Sequence, residues 1–243
     1  MSLKSASIRE TYTLPSEGKL NGIASDFTIR SMTTMEEKKR LGASPVPFKL
    51  MVEVINDCVI EPEKFDCYDL PIGDFQFLMH RLRVVTYGNE YEVPLKCPNC
   101  KSNFIDTVDL DKLEVRKYKE GMEEKLYITL PRSGDQLKLK FLSPRLYDNI
   151  SRKSDEIKER FPDYEGSPTY IVTLQECIDT INGEKYPPAK LQKYVEEMQQ
   201  ADAKAIQKAF NSVDLGVNTR IKTTCKHCGH KFEYDLPITR EFF

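Results

Sequence analysis

The chain has 243 residues, with 36 Lys+Arg against 38 Asp+Glu, 40% hydrophobic and 30% charged residues and no Trp. That length suits one large domain or two small ones, and a net charge of −2 argues against a protein whose main work is neutralising phosphates, which shows a basic excess or a basic face. No run approaches the ~18–20 apolar residues that span a bilayer, "MSLKSASIRE" lacks the apolar stretch of a secretory signal, and the seven cysteines, which cannot all pair within one chain, are expected to stay reduced in a cytosol.

The first predicted elements are two strands around Pro15-Ser16-Glu17-Gly18, in "TYTLPSEGKLNGIASDFTIRSMT". "TTMEEKKRLG" reads as a short helix with a capping box of Thr34 and Glu37 and a stop at Gly42. In "PVPFKLMVEVINDCVI", Leu50, Met51, Val54, Ile55 and Cys58 share a helical stripe behind Pro47, which makes Cys58 a core residue rather than a ligand. A further helix from Asp74 to Gly88 buries Phe75, Leu78, Met79, Leu82 and Val85; His80 lies off that stripe and reads as a partly buried or surface histidine.

"VPLKCPNCKSNFIDTVDL" at 93–110 then reads as strand, tight Cys-x-x-Cys turn, strand. After it, "KLYITLPRSGDQLKLKFL" is a hairpin turning at Arg132-Ser133-Gly134-Asp135. Ser143-Pro144 and Ser167-Pro168 look like N-caps followed by Pro in the first turn, opening helices over 144–160 and 168–181. Helix continues through "PPAKLQKYVEEMQQADAKAIQKAFNSV" with a break near Gln200. No Gly-rich phosphate loop, Gly-x-Ser-x-Gly elbow or paired His-Glu helix motif is present in the sequence.

"IKTTCKHCGHKFEYDLPI" at 221–238 can be laid over the first Cys-x-x-Cys unit, with Phe following the second Cys by four positions in both. Two such knuckles supply half a tetrahedral site each, and Cys97, Cys100, Cys225 and Cys228 form the closed four-thiolate set expected for structural zinc. Four thiolates suit iron as well. His227 or His230 could replace a cysteine, and a redox role for either pair remains an alternative, although both pairs are flanked by strands rather than placed at a helix N-terminus. A compact zinc ribbon separates its pairs by ~15–20 residues, so these widely separated pairs would act as a long-range staple. With all positions filled by sulfur, such a metal is structural rather than a water activator.

The expected fold is therefore α+β: short antiparallel strands and helices, with two zinc-ribbon-like Cys-x-x-Cys hairpins flanking a helix-rich insert. The expected units are an N-terminal strand and helix region at 1–92, the first knuckle and hairpin at 93–142, a helical insert at 143–216 and the second knuckle at 217–243.

Several stretches in this order resemble the T4-type bacteriophage baseplate protein family: the "LPSEG" opening, "MTTMEEK", "RVVTYGNEYEV" leading into the first knuckle, and the "LPRSG" hairpin. The resemblance covers residues 11–145 and extends to the C-terminal knuckle. It implies a non-enzymatic phage tail protein, a structural component or assembly factor of the baseplate hub, with other baseplate and tail hub proteins as partners. The implied locations are the infected host's cytoplasm during assembly and the virion tail baseplate. It carries over no catalytic residue, small-molecule substrate or membrane association. The competing reading is a cytosolic zinc-ribbon nucleic-acid-binding protein, suggested by Arg220, Lys222, Lys226 and Lys231 around the second knuckle. A metalloenzyme would need an open metal position, and no substrate pocket is marked in the sequence.

Overall fold

The computed structural model describes residues 8–20, 22, 24–163, 165–236, 238 and 242–243. The start of "MSLKSASIRE", read above for a secretory signal, lies outside the described residues. Among the described residues, no helix is long and apolar enough to cross a membrane.

The architecture is α+β, built from helices and short antiparallel strands. Strands β1 (Arg9–Thr13) and β2 (Asp26–Arg30) pair antiparallel. Helix α1 (Thr34–Arg40) follows, capped one residue earlier than the sequence suggests. Thr33, not Thr34, has the extended backbone an N-cap requires, and its N–H donates to the Glu36 carboxylate at 2.7 Å. Arg30 donates to the other Glu36 oxygen at 2.8 Å. That guanidinium, together with the Thr33 donors, holds the Glu36 carboxyl down at about 2.

Helix α2 (Lys49–Cys58) buries Met51, Val52, Val54, Ile55 and Cys58, and β3 (Val59–Glu61) returns to pair with β2. A single 3₁₀ turn (Cys67–Asp69) leads into α3 (Ile72–Tyr87). This helix buries the five expected apolar residues and, in addition, Asp74 and His80, both fully inaccessible. Instead of lying at the surface, the His80 ring stacks on Phe242, and its Nε2 lies 3.0 Å from the Leu110 carbonyl oxygen. Burial lowers its pKa to about 4, which keeps it neutral.

Strands β4 (Glu90–Lys96) and β5 (Asn103–Asp109) form the first cysteine hairpin. Next come a 3₁₀ turn (Leu110–Lys112), β6 (Val115–Arg116) and another 3₁₀ turn (Glu123–Leu126). Strands β7 (Tyr127–Thr129) and β8 (Gln136–Leu139) make the expected hairpin. Helix α4 (Pro144–Arg160) starts on a Ser143 side-chain cap. Helix α5 (Pro168–Cys177) ends earlier than the sequence suggests, because Ile178–Ile181 becomes β9 and adds to β8. Its Ile-Asp-Thr-Ile run has two β-branched ends and a β-branched Thr, and the left-handed Asn182-Gly183 pair (φ 51° and 83°) turns the chain behind it. Helices α6 (Pro188–Glu196) and α7 (Gln200–Ser212) are separated at the expected break. Strand β10 (Gly216–Val217) pairs with β6, and β11 (Arg220–Thr224) with β12 (Lys231–Asp235) closes the second cysteine hairpin.

The apolar side chains gather into several cores. One joins the β1–β3 sheet to α2 and α3 and includes Val217. A second lies between the β7–β9 sheet and α5 to α7. A third sits between the two cysteine hairpins, around Val93, Val108, Leu110, Leu236 and Phe242.

Three buried carboxylates hold loops by their backbone N–H groups. Asp74 accepts from Ser16 at 2.9 Å; Asp148 accepts from Phe48 at 2.8 Å and from the Tyr68 hydroxyl at 2.6 Å; Asp202 accepts from Arg132 at 2.8 Å and Ser133 at 3.1 Å. The first is the least satisfied, since its Oδ2 is buried with no hydrogen-bond partner. Desolvation consequently raises the Asp74 carboxyl to about 6.

The first turn of α3 meets the strand β10 backbone to backbone. A Cβ on Gly73 would lie 2.2 Å from the Leu215 carbonyl oxygen, and one on Gly216, whose φ is +103°, would lie 2.7 Å from the Gly73 oxygen. Only glycine fits both sides.

Two outcomes follow from this packing. Because folding raises the Asp74 pKa, the stability it confers is complete below its ordinary value near 3.8 and is lost as pH rises to about 6. Asp74→Asn should therefore be more stable than the parent at pH 7–8, by roughly 1–3 kcal/mol, seen as a higher unfolding temperature, and the gap should close near pH 4; a gap independent of pH would remove the buried-charge account. Gly73→Ala should lower stability by on the order of 3 kcal/mol, read as a shift in the urea midpoint with unchanged slope.

Candidate metal centre

The two cysteine hairpins are built to the same local plan. In the first, Lys96 pairs with Asn103 across residues 97–102; in the second, Thr224 pairs with Lys231 across residues 225–230. The Cys97 N–H donates to the Ser102 carbonyl at 3.0 Å and the Lys101 N–H to the Cys97 carbonyl at 3.1 Å. Their counterparts are Cys225 N–H to His230 at 2.9 Å and Gly229 N–H to Cys225 at 2.9 Å. The residue after the second cysteine is left-handed in both turns, with φ 62° at Lys101 and 71° at Gly229. Such a turn aims both sulfurs of a pair to one side.

The hairpins bring the four sequence-predicted thiols together. The Sγ atoms of Cys97, Cys100, Cys225 and Cys228 all lie within 4.8 Å of one another. Across the pairs, Cys97 Sγ is 3.7 Å from Cys228 Sγ, and Cys100 Sγ is 3.7 Å from Cys225 Sγ. These distances far exceed a disulfide bond of about 2.0 Å. A tetrahedral metal with bonds to sulfur of about 2.3 Å would space its ligands about 3.8 Å apart, so the set is compatible with a metal site. Cys97 and Cys225 are buried while Cys100 and Cys228 reach the surface.

Contacts between the hairpins hold the arrangement. Phe104 and Phe232, the two residues at the matching +4 position, meet edge to face with centroids 6.2 Å apart, and with Leu95 they wall off Cys97 and Cys225. Lys226 donates to the Ile105 carbonyl at 2.5 Å, the Tyr234 hydroxyl to Asp106 at 3.1 Å, and the Asn99 amide to Cys228 Sγ at 3.7 Å. The repeated Phe was visible in the sequence. Nothing in the spacing pointed to Asn99, Lys226 or Tyr234, whose partners lie on the other hairpin.

The surface-facing thiols are biased toward the thiolate, the form that binds metals. Hydrogen bonds from Ser102, by its side chain and its backbone, bring Cys100 down to about 6, and the His230 backbone N–H lowers Cys228. Burial raises Cys225 to about 11.

Neither nearby histidine belongs to the sulfur cluster. His227 Nε2 lies 3.2 Å from the Asn103 carbonyl oxygen, and its backbone N–H donates to Cys225 Sγ at 3.4 Å. The His230 ring stacks on Phe232. Among the described residues, the only grouping of potential ligands close enough to hold a metal is the four cysteines. The remaining thiols are core residues: Cys58, as expected, together with Cys67 and Cys177. Burial pushes Cys58 and Cys177 up to about 12.

A groove of about 410 Å³ runs between α4, α5 and α6, lined by Lys153, Glu156, Arg160, Phe161 and Gln192 among others. It contains no thiol or imidazole.

A family model described as T4 bacteriophage base plate protein matches residues 6–243. No curated protein and no solved structure gives a match.

Proposed function

Because the chain belongs to the T4 bacteriophage base plate protein family, we propose that it serves as a non-enzymatic structural component or assembly factor of the baseplate hub, held in shape by a structural zinc on Cys97, Cys100, Cys225 and Cys228. The family match over nearly the whole chain carries the baseplate reading. The four converging sulfurs support the zinc reading, with the hairpins as zinc-ribbon-like knuckles.

A filled four-thiolate shell has no position for substrate or water, so the metal's work would be mechanical: joining two hairpins that the sequence places far apart. Iron fits the same donor set, and metal analysis separates the two. Partners would be other baseplate and tail hub proteins, met in the infected cell's cytoplasm or in the virion tail. Two strands offer free edges for such contacts. Among the described residues, β4 pairs only with β5, and β7 only with β8.

A second reading has one observation in its favour. Lys96, Lys101, Lys226 and Lys231 are exposed at the tips of the two hairpins, and among the described residues no ion pair engages them. A basic tip of this kind suits nucleic acid, although the chain as a whole is acidic.

Native mass spectrometry of the full chain, alone and mixed with tail hub proteins, tests the first reading. One zinc per chain and a complex of defined mass are expected; a metal-free monomer that joins no hub protein would overturn it. Chelation should lower the unfolding temperature by far more than a surface effect, because thiolate-bound structural zinc contributes on the order of 10 kcal/mol. For the second reading, affinity for a DNA or RNA oligonucleotide should fall steeply between 50 and 200 mM salt. No binding at low salt would dispose of it.

A further inference from the structure

Resting on the zinc reading, we propose that the four-cysteine cluster is the chain's site of oxidation by hydroperoxides, and that oxidation replaces the metal with two disulfides running between the hairpins, Cys97–Cys228 and Cys100–Cys225.

The choice of site follows from access. Of the seven cysteines, only Cys100 and Cys228 are exposed. Cys58, Cys67 and Cys177 are at most 1% accessible, and Cys67 Sγ faces the Val52 carbonyl at 3.6 Å inside the core. The core thiols are therefore sealed from solvent, while the cluster has one exposed cysteine in each hairpin. Metal coordination keeps those sulfurs deprotonated, and the thiolate is the nucleophile.

Two cross-hairpin distances favour this pairing within a cluster whose four sulfurs all lie within 4.8 Å of one another. Each exposed sulfur has a buried sulfur of the opposite hairpin 3.7 Å away. The Cys228 sulfur attacks the peroxide: an S–O bond forms, the O–O bond breaks, and hydroxide leaves to be protonated by solvent. Sulfenic acid is a poor metal ligand, so this oxidation would weaken the hold of the remaining Cys97, Cys100 and Cys225 sulfurs on any bound metal. The Cys97 sulfur then attacks the Cys228 sulfur, forming the S–S bond and expelling the second hydroxide. A second peroxide repeats the sequence at Cys100 and Cys225. Four thiolates, two peroxides and four protons give two disulfides, four waters and one free zinc ion.

The pairing decides the consequence. Bonds within each Cys-x-x-Cys would close each turn on itself and leave the hairpin tips without a covalent link, joined by the core around Val93, Val108 and Leu236 and by the Phe104–Phe232 contact. Bonds across the pairs keep the turns together once the metal has gone, so the long-range link changes from a chelatable one to a reducible one.

The test uses the full chain loaded with zinc. It is treated with stoichiometric hydrogen peroxide in the presence of a chromogenic zinc chelator, then alkylated, digested without reduction and mapped by mass spectrometry. One zinc released per two peroxides is expected, with linked peptides carrying Cys97–Cys228 and Cys100–Cys225 and with Cys58, Cys67 and Cys177 recovered alkylated. The oxidised chain should also keep its unfolding temperature in chelator until a reductant is added. Disulfides within each Cys-x-x-Cys, oxidation of the core thiols first, or retention of zinc would each overturn the proposal while leaving the zinc reading intact. A chain that never takes up metal fails the zinc reading before peroxide is added. In Cys100→Ser, the Cys97–Cys228 bond should still form with one peroxide; its absence in a folded variant counts against the pairing.

Discussion

Bringing two hairpin turns into sulfur contact at a sequence separation of 125 is the constraint on which the remaining architecture depends. The chain entropy lost in closing such a loop is about 4 kcal/mol plus a constant, comparable to much of a domain's net stability. The edge-to-face Phe104–Phe232 pair and the few cross-hairpin hydrogen bonds each contribute on the order of 1 kcal/mol. They orient the turns more than they hold them. The metal proposed on the four thiolates would supply further stabilisation in one place, with no open coordination position for catalysis.

Closure at the sulfurs is matched by two further ties between the same distant parts of the chain. β6 pairs with β10, and the Gly73–Gly216 contact seats that strand against the start of α3. The intervening chain is then organised around its own core, with Asp202 gripping the tight turn of the β7–β8 hairpin from the first turn of α7. The buried acids act alike: each satisfies backbone donors that a loop would otherwise leave unpaired. Asp74 does so least completely, with one oxygen unpartnered, and its raised pKa is the measure of that deficit.

Local chemistry was legible in the sequence where it is self-contained. Periodicity identified the buried faces of α2 and α3, Ser143-Pro144 marked the start of α4, and the repeated Cys-x-x-Cys with its trailing Phe identified the four sulfurs that the fold gathers. What was not legible depends on partners remote in the chain. The capping box falls on Thr33 rather than Thr34 because Arg30 also claims Glu36. Residues Ile178–Ile181 leave the helix because β8 offers a strand edge. His80 goes inward because Phe242 and the Leu110 carbonyl, both distant in sequence, receive it. The cross-hairpin roles of Asn99, Lys226 and Tyr234 are of the same kind.

The spacing of the two cysteine hairpins also sets a timetable. Cys97 and Cys100 leave the ribosome first, and at 5–20 residues per second the 125 residues separating Cys100 from Cys225 take roughly 6–25 s to synthesise. Throughout that interval the first hairpin presents an open dithiol and the Phe104 face lacks its Phe232 partner. The sulfur cluster can therefore close only after the helices between the hairpins have been made.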